Sequence, residues 1–227
     1  MKRSLINKEI AWAMDLLKKH NIHIPMFGHY KADDWKECLS GKQSIHKTML
    51  GWDITDYGMG DYDKLGGVLF TIRNGDQNNP EIGTPYAEKL ILLHDGQALP
   101  LHFHYTKTED IINRSGGILA LKLYNRKEDE SVDYDSDVKV YMDGVLHTVT
   151  AGDVVEVTNG NSITLTPGMY HLFWAKEGAG DLVVGEVSSV NDDNIDNHFD
   201  VVPERFSEIE EDEPIIHPLC NEYDKFI

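Results

Sequence analysis

The apolar and polar positions along the chain fall into two textures. Near the start, Ile6, Ile10, Met14 and Leu17 recur at spacings of three and four, with Lys and Asp between them. That period predicts one amphipathic helix over about residues 7–20. From there to about Gly66, aromatic residues such as Phe27, Trp35, Trp52 and Tyr62 are mixed with Gly and Asp, and irregular connections with short helices are expected. From Gly67 onward the apolar runs are short and end in turn residues: GVLFTI, KLILLH, ILALKLY, VKVYM, DVVEV, SITLT, HLFWA and DLVVGEV. Asn74-Gly75, Asp95-Gly96, Asp143-Gly144 and Asn159-Gly160 punctuate them. Many short strands at this spacing predict an all-β sandwich or small barrel. The expected division is an N-terminal helical and irregular extension, 1–66, a barrel, 67–190, and a C-terminal extension, 191–227.

Composition narrows the partners. Hydrophobic residues make up 41% and charged residues 26%, a globular composition. Lys plus Arg is 21 against 39 Asp plus Glu, a net charge of −18. Such a surface repels phosphate backbones and anionic lipid, so neither nucleic acid nor membrane is an expected partner. No run approaches the roughly 18 apolar residues of a membrane span. The first residues carry charges and no continuous apolar core, unlike a signal peptide. Cys38 and Cys220 lie far apart and form no CxxC, which fits a reducing cytoplasm. Six of the ten residues from 204 to 213 are acidic, and that run reads as a solvated face.

The 11 histidines are the positive signal, because imidazole is the commonest metal ligand. In GQALPLHFHYTKTEDIINRSG, Gly96 to Gly116, His102 and His104 flank Phe103. On a strand the two imidazoles share a face and Phe103 takes the other. Glu109 follows after a stretch long enough to turn back beside them. Lys107 has the parity of Glu109 and is expected on the same interior face. In GNSITLTPGMYH, Pro167-Gly168 marks a tight turn and His171 opens the next strand. Three imidazoles and one carboxylate suit Mn²⁺, Fe²⁺, Co²⁺, Ni²⁺ or Zn²⁺ and leave positions open for substrate. His94, His147, His198 and His217 lack such context and are expected to be structural or exposed.

These two segments resemble the cupin signatures. Gly96, His102, His104, Glu109 and Gly116 meet the first, G(X)5HXH(X)3–4E(X)6G. Gly160, Gly168 and His171 meet the second, which departs at Thr166, where Pro is expected, and at Ala175, where Asn is expected. A single HxH implies a single, jelly-roll-like cupin barrel. Beyond that, WDITDYGMGDYDKLGGVLFTIRNG, HFHYTKTEDIINRSGG and GEVSSVNDDNIDNHF resemble the D-lyxose isomerase family of cupin sugar isomerases. The likeness implies interconversion of D-lyxose and D-xylulose, with D-mannose and D-fructose as a second pair, Mn²⁺ as the usual metal, and a homodimer. An iron-dependent cupin dioxygenase and a non-catalytic sugar-binding cupin stay open beside it.

Aldose–ketose isomerisation needs a proton shuttle between C1 and C2 besides a metal. Lys107 is the first candidate for acid/base work, because a lysine desolvated near a cation has its ammonium form disfavoured. Lys89, alternating with Ile91 and Leu93, is a substrate-binding candidate. Glu204, in VVPERF, is the tail carboxylate expected to fold over the barrel mouth as general base, with Arg205 beside it as a candidate for sugar hydroxyls. Phe103, Tyr170, Phe173 and Trp174 are read mainly as core, with apolar walls near the site as their second reading.

Overall fold

The computed structural model describes residues 1–37, 43–190, 196–201 and 207–226. Cys38, Glu204 and Arg205 lie outside the described residues. Three short or medium helices come first: α1 (Arg3–Lys19), α2 (Ala32–Glu37) and α3 (Gln43–Lys47). The strands follow as β1 (Gly51–Thr55), β2 (Gly67–Gly75), β3 (Gly83–Leu93), β4 (Ala98–His104), β5 (Glu109–Gly116), β6 (Leu119–Arg126) and β7 (Val132–Asp133). They continue as β8 (Val138–Met142), β9 (Val145–Val149), β10 (Val154–Val157), β11 (Ser162–Leu165), β12 (Tyr170–Ala175), β13 (Leu182–Ser189) and β14 (Asn197–Phe199).

Among the described residues these strands build two antiparallel sheets that curl toward each other as a half-barrel. One runs β1-β2-β3-β13-β5-β11-β8-β9, the other β10-β6-β12-β4-β14 with β7 paired to β6. The eight apolar runs expected as strands are all strands. Pairing also reaches beyond residues 67–190: β1 adds to β2, and β14 adds to β4. The strand β1 corrects the expectation of irregular chain up to Gly66. All five of its residues are buried, the polar Asp53 and Thr55 included, so only Trp52 and Ile54 mark it in the sequence. Asn74-Gly75 is not a turn either. Gly75 ends β2 and pairs with Gly83, and the connection follows over residues 76–82.

Residues 67–71 of β2 and 89–93 of β3 are buried on both faces. Val68, Phe70, Leu90 and Leu92 pack beneath Ile6, Ile10, Leu16 and Leu17 of α1. Leu69, Ile91 and Leu93 point the opposite way, between the sheets, against Leu99, Ile111 and Leu121. Burial of one such aliphatic side chain contributes roughly 1.5–3 kcal/mol. The helix therefore serves as an outer layer on one sheet and leaves the space between the sheets to the site.

The acidic run is not simply solvated. Glu211 accepts two hydrogen bonds from Arg3, at 2.8 and 2.9 Å. Asp212 accepts from the Ser4 amide at 2.9 Å and its hydroxyl at 2.7 Å. Glu213 accepts from Asn7 at 3.2 Å. Lys2, at the N-cap of α1, makes no side-chain cap, so Asp212 supplies from a distance the acceptor the first turn lacks. Arg3 is wholly buried and also pairs with Glu222.

Removal of Arg3 would leave Glu222 buried without its main partner, so Arg3→Ala is expected to cost roughly 3–5 kcal/mol. Hydrogen bonding to Arg3 holds the Glu211 carboxyl down to about 2. Burial pushes Glu222 up, but bonds from Arg3 and Lys225 outweigh it and leave its pKa lowered. Both carboxylates thus titrate below their unfolded values. The stabilisation is complete above about pH 4.5 and is lost as pH falls toward 2. Thermal melts should show a wild-type advantage over Arg3→Ala that shrinks across that range; a gap independent of pH would refute the clamp.

Candidate active site

The β-sheet register explains how distant residues converge. His171 of β12 stands directly opposite His102 of β4. On the other side of β4, Phe199 stands opposite His102 and Asn197 opposite His104. These residues share the inner face of their sheet. Across the gap, Lys89 of β3 stands opposite Glu186 of β13, and Glu186 in turn stands opposite Ile111 of β5. His102, His104, Asn197 and Phe199 on one side and Lys89, Glu186 and Ile111 on the other line one pocket together with Lys107, Glu109, Phe173 and Tyr57, and His171 lies fully buried behind it.

The three histidines are brought together as the spacing predicted. Ligand nitrogens of His102, His104 and His171 all lie within 4.8 Å of one another. Glu109, at the start of β5, sets one oxygen 3.3 Å from Nε2 of His104 and 3.2 Å from Nε2 of His171. Nδ1 of His102 donates to the Pro100 carbonyl at 2.8 Å, and Nδ1 of His171 to the Met169 carbonyl at 3.0 Å. With the proton on Nδ1, each Nε2 is a bare lone pair. Nε2 of His171 faces a carboxylate oxygen of Glu109, and Nε2 of both His104 and His171 is buried without a hydrogen bond. Two acceptors held face to face in a dry site are unfavourable unless a cation lies between them.

Electrostatics prepares the same donors. Burial, then the neighbouring His171 and His104, push the His102 pKa well below its usual value. Burial and then Lys107 lower that of His104. Burial pushes Glu109 up, yet Lys107 and His104 overcome it and hold the carboxyl well below its usual range. Neutral imidazoles and an ionised carboxylate are the protonation states a metal requires. The three histidines form a cluster that could hold a metal ion.

Lys107 faces the interior as expected, though not by strand parity. It lies in the turn between β4 and β5, not on a strand. Its ammonium sits 2.7 Å from Glu109 and 3.0 Å from Glu186. Lys89 is inside the barrel, buried, with its ammonium 3.6 Å from Glu186. Glu186, Asn197 and Phe199 are pocket residues that sequence reasoning missed. Of the four aromatics, Phe173 lines the pocket, whereas Phe103 and Tyr170 pack in a separate cluster on the other face of the sheet. The tight turn of the second motif forms despite Thr166. The Met169 amide closes it on the Thr166 carbonyl at 3.0 Å, and the Gly168 amide bonds the His104 carbonyl at 2.9 Å.

The model of the D-lyxose isomerase family matches residues 1–223. The chain belongs to the D-lyxose isomerase family. Two relatives named D-lyxose/D-mannose isomerase agree with that placement. The one from Escherichia coli O157:H7 is 42% identical over 227 residues, all of both chains. The one from Serratia proteamaculans is 40% identical over 228 residues, again all of both. Similar folds occur in L-ribose isomerases. The Acinetobacter sp. DL28 enzyme, in complex with L-ribose, has a TM-score of 0.57 at 15% identity, over 88% of this chain and 92% of its own. The Cellulomonas parahominis enzyme with L-ribose gives 0.55 at 15%, over 92% and 98%. As a D-lyxose isomerase family member the protein is an aldose–ketose isomerase on a cupin-like fold, and the pocket between the sheets is its candidate active site.

Proposed function

We propose that the protein interconverts D-lyxose and D-xylulose, and D-mannose and D-fructose, through a cis-enediol, with a divalent cation held by His102, His104, His171 and Glu109. The observation that carries the metal reading is the pair of buried Nε2 atoms, of His104 and His171, that lack a hydrogen bond and stand 3.3 and 3.2 Å from one Glu109 oxygen. Bound there, a cation would polarise the sugar carbonyl and neutralise charge that develops on its oxygens. Mn²⁺ is the proposed ion, on the family resemblance.

The remaining chemistry falls to charged groups in the same pocket. Glu186 faces the histidine row and carries a carboxylate that is not one of the ligands. In this reading it takes the proton from C2 and returns it to C1. Lys107, bridging Glu186 and Glu109, delivers a proton to the carbonyl oxygen and recovers one from the neighbouring hydroxyl. Lys89 binds sugar hydroxyls, and Phe173 and Phe199 exclude water from the enediol. Glu204 is retained as a candidate general base from the tail and Arg205 as a hydroxyl-binding residue; both stand on the sequence alone. Homodimerisation and a cytoplasmic location complete the reading, supported by the resemblance and the cysteine usage.

D-lyxose and D-mannose share configuration at C2, C3 and C4, so one pocket open at its mouth suits both. The test is incubation with Mn²⁺ and a panel of aldoses, read as ketose formed. D-lyxose and D-mannose should react, and their C2 epimers D-xylose and D-glucose should react roughly tenfold or more slowly. Absence of ketose from every aldose, or oxygen uptake in its place, would sink the proposal.

A further inference from the structure

We infer that Asp196 is a positioning residue of this centre, clamping the turn that carries Lys107 while its carboxylate stands behind His104. The inference rests on the metal reading above. Two of the three ligand histidines are oriented by their own strand, since His102 and His171 each donate Nδ1–H to a carbonyl two residues back. His104 has no such bond, and its Nδ1 is buried without a hydrogen-bond partner. The carboxylate facing it is that of Asp196, with Oδ2 at 3.9 Å.

Asp196 is itself 3% exposed, and almost everything it holds belongs to one turn. Its carbonyl accepts from the Tyr105 amide at 3.1 Å. Oδ1 accepts from the Thr106 amide and hydroxyl, both at 2.8 Å, and Oδ2 accepts from the Lys107 amide at 3.2 Å. Three consecutive amides between His104 and Glu109 thus converge on one residue. That turn sets Lys107 between Glu109 and Glu186.

The chemistry follows from tautomer control. An imidazole offers Nε2 to a cation only when its proton is on Nδ1, and a carboxylate facing Nδ1 favours that form and raises the basicity of Nε2. A shift of about 1 Å would turn the 3.9 Å approach into a hydrogen bond. Asp196 therefore couples a metal ligand to the lysine that handles the oxygen proton, although it touches neither cation nor sugar.

Asp196→Asn preserves size and an acceptor for Thr106 but removes the carboxylate. Calorimetric titration of the metal-free protein with Mn²⁺ should show affinity weakened about 10- to 100-fold. Thr106→Val, which loosens the turn and keeps the carboxylate, should stay within about threefold of wild type, well short of that loss. In metal-free wild type, nitrogen NMR of labelled histidine should find the His104 proton on Nδ1. That measurement needs no variant and decides the matter even where Asp196→Asn does not fold. Wild-type affinity in Asp196→Asn, equal losses in both variants, or a proton on Nε2 of His104 would each overturn the role. Failure of wild type to bind Mn²⁺ at all is a separate result, which overturns the metal reading beneath it.

Discussion

Thorough chelation should abolish ketose formation, and added Mn²⁺ should restore it. Three imidazoles and one carboxylate converge where His102 is 7% exposed and His171 fully buried. Buried polar atoms left without partners cost about 1–3 kcal/mol each, so the metal-free site is under stress that a cation relieves. The cation should for that reason stabilise the fold as well as support turnover. At 100 times its dissociation constant a ligand adds about 2.7 kcal/mol, visible as a rise in melting temperature. His171→Ala removes the nitrogen that β12 contributes opposite His102 and should lose both effects together. Full activity in protein shown to be free of divalent metal would remove the ion from the mechanism. The most active metal need not be the tightest, because affinity for such nitrogen and oxygen sites rises from Mn²⁺ toward Ni²⁺ whatever the chemistry requires.

The legible parts of the site were those encoded in one strand or one tight turn. His102 and His104 follow from period two, and Lys89 follows from its alternation with Ile91 and Leu93. Glu186 was missed because its meaning comes from the pairing of β13 with β3, a contact no local pattern announces. Asn197 and Phe199 sit on a strand of three residues, too short for alternation to show. The strand β1 was hidden because it offers only two apolar side chains, Trp52 and Ile54, too few for a period to show. Lys107 was found for a reason that does not hold, since its turn, and not strand parity, aims it inward. The tail acids were read by charge alone, whereas Arg3 and the open first turn of α1 give three of them partners. Local periodicity thus recovered most strands and the histidine pair, and long-range register supplied the groups beside them.

Glu186→Gln should lower kcat by about 10²- to 10⁴-fold with a smaller change in KM, the range for loss of a positioned general base. Glutamine keeps the shape and an oxygen that Lys107 and Lys89 can still meet, so the pocket should survive. What it loses is the capacity to accept a proton. Glu109 cannot take over, since it is set against His104, His171 and Lys107. Run in deuterated water, wild type should return aldose labelled at C2, because the shuttled proton exchanges with solvent, and Glu186→Gln should lose exchange in parallel with turnover. The same assays on Glu204→Gln separate the two carboxylates. Should Glu204→Gln lose exchange while Glu186→Gln keeps both exchange and turnover, the base belongs to the tail, and Glu186 merely balances the charge of two buried lysines. Turnover without solvent label in wild type would argue for hydride transfer, and then neither carboxylate is needed as a carbon base.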